Sequence, residues 1–167
     1  MKTVIRKTIM LLFILFSINA ISQNSTTIED NDMKFMVEEE KVARDAYEFL
    51  ANQWNLKVFN NIKHSEQRHI NMIQDLLNKN NIDFKVSTKR GVFYNNDLQT
   101  LYDDLIKKGS KSIYDALEVG KLVEEKDIKD LEEAIKNSEN DEAKQVYSNL
   151  LKASQNHLKA FNKQLSK

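Results

Sequence analysis

Apolar residues recur at intervals of three and four along four long stretches of this chain, which is the spacing of one face of an α-helix. The chain has no proline and only three glycines, so little interrupts long helices. The sequence therefore predicts an all-α fold whose helices pack their apolar faces together. The first stretch, at about residues 33–54, places on one face Met36, Ala43, Tyr47, Leu50 and Trp54.

The other three periodic stretches lie at about residues 58–78, 112–137 and 141–165. Short polar turns join the first helix to the second and the third to the fourth, so the helices of each pair are predicted to be antiparallel neighbours. The connection between the second and third helices is much longer and contains a short amphipathic stretch at about residues 97–108. We predict an antiparallel four-helix bundle whose long crossover contains a short helix.

Each long helix carries acidic or histidine residues in the middle of its apolar face. Glu66 and His69 are three residues apart, so they share a face with the apolar side chains of the second helix. Burying such groups unpaired is costly, and a metal ion is one reason to place them in a core. The complete inward set is Glu40, Glu66, His69, Glu124, Asp127 and His157.

This set of four carboxylates and two imidazoles is the inventory of carboxylate-bridged two-metal sites in helical bundles. Such ligands suit iron, manganese or zinc, and the absence of cysteine excludes thiolate ligands. Four carboxylates also balance the charge of two divalent cations. We predict a site for two iron ions, with manganese or zinc as alternatives.

Simpler interpretations of these residues remain open. The acidic residues 38–40 could be a solvated run, and the choice of Glu40 rests on helical phase alone. Asp127 could lie at the edge of its apolar face, and His157 could be a hydrogen-bonded core residue. Tyr47 either packs in the core or faces the site as a hydrogen-bonding or redox-active phenol.

Other polar residues have predicted positions outside the ligand set. His64 lies on the opposite side of its helix from Glu66 and is predicted to be exposed. Arg44, Asp130 and Asn156 are near the predicted ligands in sequence and are candidates for orienting them.

Residues 1–22 have the pattern of a secretory signal peptide, because a basic start precedes an apolar run that is too short for a comfortable membrane span. We predict an exported protein, periplasmic or extracellular, with a polar leader at 23–32 and one helical domain at 33–167; a retained N-terminal anchor helix is the alternative. The sequence shows no basic face of the kind that binds nucleic acid.

Two helices resemble those of a known superfamily. The pattern Glu40-Lys-Val-Ala-Arg-Asp-Ala-Tyr47 is similar to the first helix of rubrerythrin-like proteins of the ferritin superfamily, and Glu66-x-x-His69 resembles their second-helix motif. From about Met33 to Leu165 the chain more closely resembles a ferritin-like family, the domain of unknown function 2202. The segments that carry this resemblance are Glu38-Glu-Glu-Lys-Val-Ala-Arg-Asp, Ser65-Glu-Gln-Arg-His, Gly91-Val-Phe, Leu101-Tyr-Asp-Asp-Leu, Glu124-Glu-x-Asp-Ile-x-Asp-Leu and Ser154-x-Asn-His-Leu-x-Ala-Phe.

The resemblance implies a ferritin-like bundle that acts on iron, oxygen or peroxide, as a ferroxidase or in a peroxidase-like reaction. Ser154 stands where the fourth helix of such sites carries a Glu, and Asp127 could supply the missing carboxylate. There is no rubredoxin-like cysteine domain, so a partner protein would have to donate electrons. Bundles of this kind often form homodimers. The alternatives are a non-enzymatic module for metal binding or protein interaction, and a buried polar network without metal.

Overall fold

The protein is all-α in residues 29–167, which are the residues that the computed structural model describes, and this part of the chain contains five helices and no strand. The first helix, α1, covers residues 29–54. It is followed by α2 (Lys57–Lys79), α3 (Asn96–Gly109), α4 (Ile113–Asn137) and α5 (Asp141–Leu165). None of these helices is both long and apolar enough to cross a membrane.

The helix positions agree with the periodicity of the sequence, with one difference at the start of α1. Residues 29–32 are already helical, although the sequence pattern predicts them to be part of the polar leader. The predicted signal peptide, residues 1–22, lies outside the described part of the chain. Side chains cap three of the helices: Asn95 accepts from the backbone at the start of α3, Ser112 at the start of α4 and Asn140 at the start of α5.

The interior is apolar towards both ends of the long helices and polar in the middle. One apolar cluster includes Tyr47 of α1, Phe59 of α2 and Phe161 of α5. The other includes Met36 of α1, Ile73 of α2, Leu131 of α4 and Leu150 of α5. The buried acidic and histidine residues lie between the two clusters along each helix, so each long helix contributes apolar residues on both sides of a central polar layer.

Helix α4 packs closely against Phe161 of α5 at Gly120. A Cβ atom at this position would lie 2.3 Å from Cε1 of Phe161, far inside van der Waals contact. Only glycine therefore leaves room for the Phe161 ring at this position. The Tyr47 hydroxyl of α1 also reaches the Gly120 carbonyl oxygen, at 3.3 Å, so three helices meet around this glycine.

A fully buried ion pair on α1 holds the long connection between α2 and α3. Lys41 and Asp45 are each 0% exposed. The Lys41 Nζ donates to Asp45 Oδ2 at 2.6 Å and to the carbonyl oxygens of Lys89 and Val92 at 3.0 and 3.2 Å. Asp45 in turn accepts from the Gly91 amide at 2.9 Å. A loop with little periodicity is therefore fixed by charged groups of a helix.

Glu38 extends this contact to the start of α3. Its two carboxylate oxygens accept from the amides of Tyr94 and Asn95, at 2.8 and 2.9 Å. Phe93 enters the core, with its ring 4.2 Å from Lys41 Nζ, whereas Tyr94 is 62% exposed. Residues 38–45 and residues 91–93, two of the segments that carry the family resemblance, are therefore in direct contact through these hydrogen bonds.

Candidate metal centre

Helices α1 and α2 bring Glu40, Glu66 and His69 together in the polar layer. The His69 Nδ1 lies 3.1 Å from Glu40 Oε2 and 2.8 Å from Glu66 Oε2. The three ligand atoms all lie within 4.8 Å of one another, and all three residues are buried. Helical phase places them there, because each interrupts the apolar face that packs against the other helix.

A second group joins α2 to α4 and α5. The His157 Nδ1 lies 2.9 Å from Glu66 Oε1 and 3.5 Å from Glu124 Oε2. These three ligand atoms also lie within 4.8 Å of one another. Glu66 belongs to both groups, with one oxygen towards each histidine, and the two imidazole rings lie 5.8 Å apart in a stacked arrangement.

Several of these buried atoms are close to one another without being hydrogen bonded. Glu66 Oε1, His157 Nδ1 and Glu40 Oε1 have no hydrogen-bond partner within the described residues, although Glu66 Oε1 and His157 Nδ1 are only 2.9 Å apart. Two ligands at right angles around an ion at about 2.1 Å would be roughly 3.0 Å apart. The distances and the orphaned atoms therefore fit residues that converge on a metal ion, and the oxygen and imidazole donors fit iron, manganese or zinc.

Asp127 is buried beside these groups but belongs to neither of them. Its exposure is 6%, and its Oδ1 has no hydrogen-bond partner in the described part of the chain. Burial raises the pKa of Asp127 well above its usual value, and the nearby carboxylates of Glu40 and Glu124 add to the rise. Ser154 lies against Asp127 and lowers this pKa, so the carboxylate occupies space next to the serine that replaces the expected Glu.

Tyr47 contacts the site directly. Its hydroxyl donates to Glu124 Oε1 at 2.6 Å, and its ring packs 5.4 Å from the ring of Phe161. The Tyr47 ring is therefore part of the core, and its phenol also forms a hydrogen bond to a predicted ligand. The hydrogen bond directs one oxygen of Glu124 and leaves the other towards His157.

Glu39 is a buried carboxylate next to the centre, and it is not in the ligand set predicted from the sequence. Its exposure is 5%, and it pairs with Lys126 of α4, which also binds Asp130. Burial raises the pKa of Glu39 to about 8 in spite of Lys126. A solvated run at residues 38–40 is thereby excluded, because all three carboxylates are buried against different parts of the protein. Three consecutive acids in one helix were a signal that at least one faces inward, but their partners were not evident.

Protons and imidazolium charges can compensate the buried carboxylates. Burial raises the pKa of Glu40 to about 8 and that of Glu124 to about 7. Burial lowers the pKa of both histidines, but the carboxylates outweigh it and raise the pKa of His69 to about 11 and that of His157 to about 9. Burial raises the pKa of Glu66, yet its contacts with His157 and His69 lower it to about 2. Glu66 is thus the ionised carboxylate between two charged imidazoles.

The remaining sequence-predicted polar residues lie outside the centre. His64 is exposed, as predicted. Arg44 donates to Asp45 and Gln67, Asp130 accepts from Lys126, and Asn156 is exposed. These three residues therefore do not orient the ligands by direct hydrogen bonds in this structure.

Comparisons with known proteins give one family and one relative of unknown function. Residues 29–167 match a family described as an uncharacterised protein domain, DUF2202. An uncharacterised protein of Methanocaldococcus jannaschii, MJ0754, is 47% identical over 132 residues, which cover 78% of this chain and 71% of that protein. The crystal structure of hypothetical protein MJ0754 from Methanococcus jannaschii is similar with a TM-score of 0.81 and 45% identity, and the match covers 82% of this chain and 79% of that one.

Proposed function

We propose that this chain, which belongs to the DUF2202 family, is a ferritin-like protein that holds two divalent metal ions, most readily iron, in its polar layer. The observation that carries the proposal is the position of Glu66 between two carboxylate–histidine groups, with its oxygens directed to different histidines. One carboxylate shared in this way suits a pair of ions better than a single ion.

Chain connectivity supports the ferritin-like part of the proposal. Only residues 55–56 separate α1 from α2, and only residues 138–140 separate α4 from α5, so each pair suits antiparallel neighbours. The connection from Lys79 to Ile113 is long and contains α3. In a ferritin-like antiparallel four-helix bundle this connection is the crossover between the two helix pairs.

The assignment of ligands follows from the two groups. Glu40 and His69 would hold one ion, Glu124 and His157 would hold the other, and Glu66 would contribute an oxygen to each. Asp127 would supply additional negative charge from α4. A pair of bound iron ions supplies one-electron redox chemistry, for which iron itself, oxygen or peroxide is the substrate class.

The protein residues would position and enclose these ions. The hydrogen bond from Tyr47 would fix the orientation of Glu124, and the apolar clusters on both sides would keep the centre away from bulk water. For peroxidase-like turnover we propose that a partner protein donates the electrons. We also propose that the protein is exported, on the basis of the basic and apolar pattern of residues 1–22.

A non-enzymatic metal-binding module is the second candidate. The observation in its favour concerns Ser154 of α5. The Ser154 hydroxyl donates to the Leu150 carbonyl oxygen of the same helix at 3.0 Å, so α5 contributes only one predicted ligand, His157. A centre with fewer ligands from one side would bind one of its ions more weakly.

Metal stoichiometry tests the proposal. The protein is loaded with Fe(II) without oxygen, loose metal is removed, and metal per chain is measured by elemental analysis. We expect two ions per chain, and a large loss of both in Glu66→Gln, with the helical circular dichroism spectrum unchanged. Glu142→Gln, at an exposed carboxylate of α5, is the matched control and should retain two.

Other stoichiometries have equally clear meanings. One ion per chain, lost in His157→Gln but retained in His69→Gln or the reverse, would favour the binding module with a single site. No retained metal in the folded wild-type protein would contradict both candidates and leave a buried polar network.

A further inference from the structure

The outward sides of α2 and α5 together form a basic face. In residues 57–74 the one acidic residue is Glu66, which is buried in the centre, and residues 143–167 contain no acidic residue. The two helices are antiparallel neighbours, since Lys79 pairs with Glu142 at one end and Glu66 meets His157 near the middle. The basic face consists of the exposed side chains of Lys57, Arg68, Lys152, Lys159 and Lys163.

The charges of the basic face are not compensated within the protein. None of its five residues forms a salt bridge with a carboxylate in residues 29–167. On α4, by contrast, Lys121 and Lys129 each have a glutamate one turn further along the helix, at 3.9 Å. Folding thus collects unpaired positive charge on one side of the molecule, although acidic and basic residues are equal in number in the whole chain.

The basic face lies at the level of the candidate metal centre. Arg68 is two residues after Glu66, and Lys159 is two residues after His157, so each basic side chain is about 200° around its helix from an inward ligand. The His157 side chain is 12% exposed, compared with 5% for His69, and the carboxylate ligands are 6% exposed or less. A partner that covers α2 and α5 therefore approaches the centre beside its most exposed candidate ligand.

The size and charge of the basic face fit a brief contact with an acidic protein. The distance along α5 from Lys152 to Lys163 is about 17 Å, and a neighbouring helix adds about 10 Å of width. Patches this small are typical of electron-transfer encounters rather than of permanent complexes. Opposite charges on the two partners steer their association, which becomes fast and dependent on salt.

The basic face lacks the features with which membranes and single-stranded nucleic acids are bound. Helices that lie on membranes insert apolar side chains, and single strands stack on exposed aromatic rings. The large apolar side chains that are exposed in the described part of the chain are Val92, Tyr94, Ile113, Tyr114 and Leu122. All five lie in the long connection or on α4, so the basic face presents charge and amide groups alone.

We propose that the basic face of α2 and α5 is the docking surface for an acidic electron-donor protein. Docking requires only the surface charges, whereas the role of the docked protein as a donor rests on the peroxidase-like function proposed above. In that reaction two donor molecules are each oxidised by one electron. The two electrons, with two protons from solvent, reduce one hydrogen peroxide to two water molecules.

Metal-free protein tests docking by itself. The probe is oxidised flavodoxin, an acidic protein whose FMN carries electrons, and backbone amide NMR shifts are followed as it is added. We expect shifts centred on residues 57–71 and 149–163, with binding at least tenfold weaker when salt is raised from about 20 to about 200 mM. No binding, binding that salt does not weaken, or shifts centred on α4 would overturn the proposal.

Charge reversal with a matched control locates the docking surface. Lys152→Glu with Lys159→Glu should weaken flavodoxin binding at least tenfold more than Lys121→Glu with Lys129→Glu, which makes the same change in net charge on α4. Circular dichroism confirms that both double variants are folded, and Arg68→Glu with Lys163→Glu serves as a second pair on the basic face. Equal losses on the two sides of the molecule would contradict the assigned surface.

Other polyanions and the donor role are tested with the same proteins. Tighter binding of duplex DNA, or of vesicles that contain phosphatidylserine, than of flavodoxin at equal salt would overturn the assignment to a protein partner. In iron-loaded protein oxidised by peroxide, reduction by reduced flavodoxin should be at least tenfold slower in Lys152→Glu with Lys159→Glu, while reduction by an uncharged hydroquinone stays the same. An unchanged flavodoxin rate would overturn the donor role. Docking in a protein that retains no metal would contradict the proposed function and still support the surface.

Discussion

Lys41 and Asp45 form an ion pair that is sealed from solvent on the side of α1 facing the long connection, with Nζ 2.6 Å from Oδ2. Removal of one partner from a buried pair leaves the other charge without compensation. Arg44 also lies 2.7 Å from Asp45, so it would partly compensate the Asp45 charge and reduce the loss of stability. The loop at residues 89–92 is hydrogen bonded to this pair, so the loop should become more mobile at the same time.

Lys41→Met is therefore expected to lower the free energy of unfolding by about 3 kcal/mol, at the low end of the range for broken buried pairs. Urea denaturation measures the loss. Lys79→Met is the control, because Lys79 and its partner Glu142 are exposed and a surface pair contributes only about 0–1 kcal/mol. Equal effects of the two substitutions would contradict the buried role of Lys41.

Metal affinity should rise with pH. In the metal-free protein the pKa is about 8 for Glu40, about 11 for His69 and about 9 for His157, so these groups hold protons at neutral pH that a metal must displace. Binding is thus favoured as pH increases from about 6 to about 9 and is lost in acid. Calorimetric titration with Zn(II) in buffers of different ionisation enthalpy measures the protons released. A pH-independent affinity with no proton release would argue against these residues as ligands.

Tyr47→Phe should weaken the half of the centre that contains Glu124 while leaving the protein folded. The substitution removes the 2.6 Å hydrogen bond to Glu124 Oε1, and loss of such an orienting contact typically costs about 10–100-fold in metal affinity. Competition with a chelator measures the affinity of each ion. Tyr147→Phe is the matched control, since the Tyr147 hydroxyl is buried without a partner in residues 29–167 and lies outside both ligand groups.

Gly120→Ala should destabilise the protein, although alanine favours a helix. The new methyl group would meet the Phe161 ring at 2.3–2.5 Å, and overpacking of a core costs about 1–3 kcal/mol. Phe161→Leu in the same chain should recover part of the loss by shortening the neighbour. Thermal denaturation of the single and double variants compares them, and additive losses would show that the two positions do not meet.

Helical phase was sufficient to predict that most of the candidate ligands are buried. Glu40, Glu66, His69 and Glu124 are within a few per cent of full burial, because a polar residue in the middle of an apolar stripe has no other direction to face. The same reasoning could not foresee Lys41 or Asp45. Besides each other, their partners are in an aperiodic loop near the middle of the chain, and charged residues off the apolar stripe are ordinarily solvated.

The position of Asp127 shows a related limit. Periodicity put it on the inward face, and it is buried, but only the packing of Ser154 against it reveals which space its carboxylate fills. Glu39 needed the same kind of information, because its partner Lys126 belongs to another helix. Phase gives the direction of a side chain, whereas the identity of its neighbour depends on how the helices are arranged.

Residues 38–41 are each bound to a different part of the protein: the start of α3, Lys126 of α4, His69 of α2 and the loop at residues 89–92. Helix α1 therefore cannot turn about its axis or slide without breaking several of these contacts. Glu40 is thereby held in place beside His69. Ions that bind at about 2.1 Å suit such a rigid ring, whereas Ca²⁺ prefers more ligands at about 2.3–2.6 Å. If the proposed ions bind, these attachments of α1 would therefore make the centre selective for ion size.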